Sequence, residues 1–238
     1  MKGFRCVVEA PCYSPIPADG KSSDRIEVRK KLFDNDAPLV LELGCGKGEY
    51  TVGLAKHHPD KNFIGIDIKG ARIWTGAKEV AENSIPNAKF LRTEIENLSS
   101  FFSPGELDEI WITFPDPQMQ KTRKRLTSTR FLQQYSKLLK PGGIVHLKTD
   151  SPFLYEYTRR VAAKNNLEVL EDTADLYGSG NADPASSIKT FYESQWLSRG
   201  KSIKLLSFRL SPETDLSEPE IEDIPKDDYR AYTRHTPI

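Results

Sequence analysis

Four carboxylates, Glu42, Asp67, Glu94 and Asp116, fall in or just after short strand-like runs: "LVLELG", "NFIGIDI", "FLRTE" and "EIWITFPDP". In an open parallel sheet the carboxyl ends of the strands face one crevice, where ligands bind. A rim of acids there suits a cationic ligand that carries ribose hydroxyls and an adenine amine. Asp67 can accept both hydroxyls and Glu94 the amine, and Glu42 or Asp116 can face the positive group. Gly44, Gly46 and Gly48 follow the first run in "LELGCGKGEY", where backbone can approach a ligand closely. A dinucleotide loop would want glycine where Glu49 stands, and a P-loop would want Ser or Thr after Gly-Lys, where Gly48 stands.

Asp116 sits between Pro115 and Pro117, which restrict its backbone, and within ten residues come Lys121, Arg123, Lys124 and Arg125. A fixed carboxylate beside flexible cations divides naturally into one group that meets a base or a positive centre and others that grip phosphates. Among the tryptophans, Trp74 is a candidate for stacking and Trp111, inside a strand-like run, for the core.

These residues need a scaffold, and the pattern supplies one. From Pro38 onward, strand-like runs alternate with segments long enough for helices: "EYTVGLAKHH", "GARIWTGAKEVAENS", "TSTRFLQQYSKLLKPGG" and "PFLYEYTRRVAAKNN". The third has Thr127, Ser128 or Thr129 as N-cap and "KPGG" as its stop. Alternation of this kind predicts an α/β fold whose mostly parallel sheet has helices on both faces. "LEVLEDT" and "IKLLSFRL" would close it as a hairpin with a long insertion. Residues 1–37 read as a leader feeding one helix capped by Ser22 or Ser23, residues 38–210 as the main domain, and residues 211–238 as an acidic tail.

The 238 residues carry 34 Lys and Arg against 34 Asp and Glu, but the charge is unevenly spread. Residues 211–228 hold eight acids and one lysine, leaving the remainder with 33 cations against 26 acids. A basic body with an acidic tail fits a nucleic-acid partner, with the tail solvated or folded over the basic surface as a competitor. Cys6, Cys12 and Cys45 and the scattered histidines lack ligand spacing, so no metal site is expected. No apolar run is long enough to span a bilayer and the first residues lack a secretory pattern, so a cytoplasmic protein is expected.

Taken in order, "LELGCGKGEY", "FIGIDIKGA", "FLRTEIENL", "WITFPDP", the basic run, "LKPGGIVHLKTD" and "TFYESQWLSRGKSI" resemble the bacterial tRNA (guanine-N7-)-methyltransferase family, over roughly residues 38–210. The resemblance implies a Rossmann-like class I methyltransferase fold with a seven-stranded sheet, S-adenosylmethionine as donor and tRNA as partner. It further implies methyl transfer to N7 of a guanine, at position 46 of the variable loop. It places the donor at Glu42, Gly44, Gly46, Gly48, Asp67, Glu94 and Asp116. It places tRNA at the basic run, at Asp150 and across Thr190, Phe191, Tyr192 and Glu193. The family pattern puts tryptophan and lysines after FPDP, where this chain has Gln118, Met119 and Gln120. The substrate lysine therefore falls on Gln120, with Lys121 one residue later. No obligatory protein partner is implied, and monomer and homodimer both remain open.

Guanine N7 has an in-plane lone pair and no proton, so its methylation needs no general base. A preplaced carboxylate, Asp116 as the candidate catalytic residue or else Asp150, would instead stabilise the charge that develops on the purine and accept from the guanine N1 and N2 donors. Two rival readings are a methyltransferase acting on an exocyclic base amine, whose sites show an N/D-P-P-aromatic order that "FPDP" inverts, and a non-catalytic RNA-binding module.

Overall fold

The computed structural model describes residues 3–10, 28–180, 183–212 and 215–227. Its elements in chain order are β1 (Val7–Glu9), α1 (Val28–Leu32), β2 (Leu39–Leu43), α2 (Glu49–His57), β3 (Asn62–Asp67), α3 (Gly70–Glu82), β4 (Ala88–Arg92) and β5 (Leu107–Thr113). They continue with α4 (Thr129–Leu138), β6 (Leu139–Thr149), α5 (Pro152–Lys164), β7 (Val169–Thr173), α6 (Phe191–Leu197) and β8 (Lys204–Arg209). All strands join one sheet in the order β1-β4-β3-β2-β5-β6-β8-β7. The first six run parallel and β8 and β7 antiparallel, as the hairpin with a long insertion required.

Every residue of β2 and β3 is buried, the mark of strands covered on both faces. One face packs α1, α4 and α5 through Leu32, Phe131, Tyr135 and Tyr157, and the other packs α2 and α3 and the α6 region through Tyr50, Ile73 and Trp196. Trp111 is buried and stacks on His146 at 4.0 Å, which makes it a core residue.

The fold class is the expected one, with one correction. The sheet has eight described strands, because Val7–Glu9 of the leader pairs with β4. Three residues beside prolines and glycine carry too weak a pattern to declare a strand. The Ser22 and Ser23 cap lies outside the described residues. For α4, Ser128 occupies the N-cap position but its side chain makes no cap bond. The carboxylate of Glu218 accepts instead from Thr129 N (3.0 Å) and Thr129 Oγ1 (2.7 Å).

The described part of the acidic tail packs into the body. Leu216 and Ile224 join the apolar cluster under α4 and α5, Asp223 pairs with Arg160 at 2.5 Å, and Asp227 accepts from Phe153 N at 3.1 Å. In a tail expected to be solvated or folded over the basic surface, Glu218 and Asp227 instead close helix N-termini, where four N–H groups lack intrahelical partners.

Candidate functional site

The turn after β2 is tied to the end of β3. Gly44 N and Cys45 N both donate to Ile66 O (2.8 and 2.9 Å), while Gly46 N donates to Asp67 Oδ2 (3.0 Å). The other Asp67 oxygen accepts from Lys69 N at 2.7 Å. Asp67 therefore shapes the loop as well as standing at the strand end. Gly48 has φ 76° at the N-cap of α2, and a Cβ there would meet Phe90 Cε1 at 2.6 Å, so the helix can approach β4 and α3 only with glycine.

Glu42 stands below this loop with 3% of its surface exposed. It accepts from Thr51 N (2.8 Å), from the Thr51 hydroxyl and from Thr113 Oγ1 (2.6 Å). Burial pushes its pKa up to about 7, against the pull of those hydrogen bonds. It joins β2, α2 and β5 around the floor of a cavity.

The segment after β5 forms the opposite wall. Phe114 has φ 48°, a left-handed conformation that a bulky side chain adopts only under constraint. Its N–H bonds Lys148 O at 2.8 Å, which holds it there. Pro115 and Pro117 are buried, whereas Asp116 is exposed on the cavity wall and accepts from Gln118 N at 3.0 Å. The flanking prolines are thus packed away while the carboxylate between them faces the cavity.

The third wall is the start of α6. Thr190 caps it in a reciprocal capping box with Glu193, and Phe191 N donates to Glu49 Oε2 at 3.0 Å. Phe191 (59% exposed) and Tyr192 (39%) are left at the rim, with Tyr192 edge-on to Phe114 at 5.6 Å and Lys47 Nζ 5.0 Å from the Phe191 ring.

The resulting cavity of about 500 Å³ brings together Glu42, Gly44, Gly46, Asp116, Thr190, Phe191 and Tyr192 from the sequence analysis. Gly48 lies just behind it, and Asp67 and Glu94 follow neighbouring strands off its wall. Gln120, Lys121, Arg123 and Lys124 are exposed beyond it. The residues missed are Cys45, Lys47, Glu49, Arg72, Thr113, Phe114 and Gln195, which also line it. Position gave the available signal: Lys47 and Glu49 lie within and just after the glycine loop, and Thr113 and Phe114 precede the proline-flanked acid.

Three expected tRNA contacts are corrected. Arg125 is fully buried, with its guanidinium 4.9 Å from the Phe153 ring and 4.5 Å from that of Tyr157, donating to Gln118 O (3.2 Å) and Met119 O (2.9 Å). It braces the loop that its neighbours decorate. Asp150 is 1% exposed and off the cavity, near Lys204, whose pKa is lowered by burial while Asp150 counters the shift. Glu193 is wholly buried and paired with Lys148 at 2.9 Å.

The sheet order and the cavity at its carboxyl edge define a class I methyltransferase fold. The structure superposes on the 16S rRNA methyltransferase KamB with a TM-score of 0.56 at 16% identity, covering 74% of this chain and 88% of that one. A solved structure described as an antibiotic-related methyltransferase gives the same score at 16% identity, covering 80% of this chain and 96% of that one. In sequence, a family model described as "Putative methyltransferase" matches residues 36–206. A tRNA (guanine-N(7)-)-methyltransferase of Porphyromonas gingivalis is 59% identical over 85% of this chain and 84% of its own length. One of Bacteroides thetaiotaomicron is 56% identical over 98% and 92%. The chain belongs to the tRNA (guanine-N7-)-methyltransferase family.

Proposed function

We propose that the protein transfers the methyl group of S-adenosylmethionine to N7 of a guanine in tRNA, at position 46 of the variable loop, forming 7-methylguanosine. The observation that carries this reading is Asp116, exposed on the cavity wall between two buried prolines and beside a left-handed Phe114. Backbone strain of this kind costs about 1–3 kcal/mol and persists where the surroundings over-determine it, commonly at functional sites.

The donor fits the residues present. Nothing lies within 4 Å of where a Cβ on Gly44 would stand, so this backbone is open to a ligand, and Glu42 and Asp116 give the cavity an acidic floor and wall. Asp67 and Glu94 would take the ribose and adenine ends. When bound, the donor supplies an electrophilic sulfonium methyl. The chain's own work is orientation, which can account for about 7–11 kcal/mol of a barrier when the reacting atoms are held in line. Asp116 holds guanine through its N1 and N2 donors and offsets the positive charge that grows on the ring. Phe191 and Tyr192 supply aromatic surface for a base brought out of its stack. Gln120, Lys121, Arg123 and Lys124 face solvent near Asp116, where phosphates can be met. Among the described residues no helix is long and apolar enough to cross a membrane. We take the enzyme to be cytoplasmic and to need no obligatory protein partner.

The deciding experiment incubates the protein with labelled S-adenosylmethionine and unmodified tRNA, then applies reduction and aniline cleavage. Label with strand scission at position 46 is expected. Label without scission would point to an exocyclic amine, and tRNA binding without label would point to a non-catalytic module.

A further inference from the structure

Lys148, in β6, has a side chain with no exposure at all. Its ammonium bonds both oxygens of Glu193 (2.9 and 3.0 Å) and Ile188 O (2.8 Å), and reaches Tyr177 OH at 3.4 Å. It also lies 5.1 Å from the Tyr50 ring and 5.9 Å from that of Phe114. Glu193 in turn accepts from Tyr177 OH (2.6 Å) and from Thr190 N (3.4 Å). One buried cation thus touches the sheet, α2, the left-handed Phe114 and the insertion that carries α6.

A buried ion pair is a poor way to gain stability, because desolvation consumes most of the attraction; its best-attested use is to select one arrangement. Here there is an arrangement to select. The seven residues of α6 are too few to form a stable helix alone, yet they must hold Phe191 and Tyr192 exposed at the cavity rim. Burial lowers the pKa of Lys148, and the Glu193 carboxylate against it counters that shift, so the buried ammonium leans on Glu193.

We infer that Lys148 and Glu193 act as one positioning unit, which sets the wall formed by Thr190, Phe191 and Tyr192 against Phe114, and that Glu193 serves tRNA methylation without touching the nucleotide. The inference rests on the proposed substrate. It differs from a contact role in one respect: the charge of Glu193, as distinct from its part in the cap, is needed only because Lys148 is charged.

The test is a double-variant cycle on the full chain, using unmodified tRNA for turnover and S-adenosylhomocysteine for donor-site affinity. Glu193→Gln keeps the volume and the cap acceptor but strands the lysine, so KM for tRNA should rise about tenfold while S-adenosylhomocysteine affinity holds within about twofold. Lys148→Met added to Glu193→Gln should restore at least about half of the lost kcat/KM on a logarithmic scale. A double variant no better than Glu193→Gln would show that the carboxylate contacts RNA and would overturn the inference. Parallel loss of S-adenosylhomocysteine binding would overturn it too, by making the pair a support of the whole cavity. Should Glu193→Gln not fold, Glu193→Asp, which keeps the charge and shortens its reach, must raise KM for tRNA by a smaller factor; an unchanged KM refutes the unit. A wild-type protein inactive on tRNA would instead sink the substrate reading.

Discussion

The cavity and the strap formed by the tail over α4 and α5 use buried charge at similar places to different ends. At the cavity, Glu42, Lys148 and Glu193 tie loops together around open space. At the strap, Glu218 closes the start of α4 from an exposed position, Asp227, itself buried, holds Ser151 and Phe153 at the start of α5, and the buried Arg125 fills the gap beneath. The stretch where this chain departs from the family pattern meets the tail here, since Asp227 N donates to Met119 Sδ at 3.1 Å. Buried charge makes a site where it frames a void, and a joint where it fills one.

The largest effect that could break this contrast is Arg125→Ala. It removes two cation-π contacts, takes the guanidinium donor from Met119 O and one of two donors from Gln118 O, and opens a hole beside Tyr157. We expect a loss of roughly 3–5 kcal/mol in chemical denaturation, with donor affinity of the folded fraction unchanged. A stable variant that binds tRNA weakly would return Arg125 to the phosphate-binding set.

Glu42 gives the next effect, through pH. Its carboxyl ionises near 4.5 when unfolded and near 7 in the fold, so the native state holds the extra proton between those values. The contribution is fully present below about pH 4.5 and declines as pH rises through 7, in total by about 3 kcal/mol. Glu42→Gln should remove that slope, so the stability difference between variant and wild type should shift in the variant's favour from pH 4.5 to pH 8. A constant difference would mean that Glu42 is ionised throughout.

On the strap side, Asp227→Ala should cost about 1–2 kcal/mol by releasing Phe153 N and the Ser151 hydroxyl. Glu222→Ala, at an exposed position, should cost less than about 0.5 kcal/mol. Equal effects would reduce the strap to a general electrostatic attraction.

The sequence made the central sheet legible because β2 is apolar but for Glu42, β3 is apolar between Asn62 and Asp67, and α4 carries a one-sided apolar stripe; strand order then gathered Glu42 and Asp116 at one cavity. Burial of individual charges was not legible. Arg125 reads like Arg123, and what separates them is Phe153 and Tyr157, brought in from α5. Glu193 did carry a local sign, since Thr190 followed three residues later by Glu193 is the capping-box spacing, which turns the carboxylate back on its own helix. The tail was read by its acids, whereas Leu216 and Ile224, set among them, decide that it packs.

The smallest structural effect is the most informative about tRNA. Lys124 is exposed one residue before Arg125, at the end of a short turn over Thr122–Lys124. Lys124→Ala should leave the melting transition in place, because an exposed lysine makes little net contribution to stability. If its ammonium meets a phosphate, tRNA affinity should fall and the plot of log affinity against log salt should become shallower by roughly one counterion. The loss should be similar for all tRNAs, since phosphate contacts position without reading sequence. Arg125→Ala should show the reverse, a lower melting temperature with the salt slope of the folded fraction intact. An unchanged slope for Lys124→Ala would remove this lysine from the tRNA interface and leave Gln120, Lys121 and Arg123 to deliver the guanine beside Asp116.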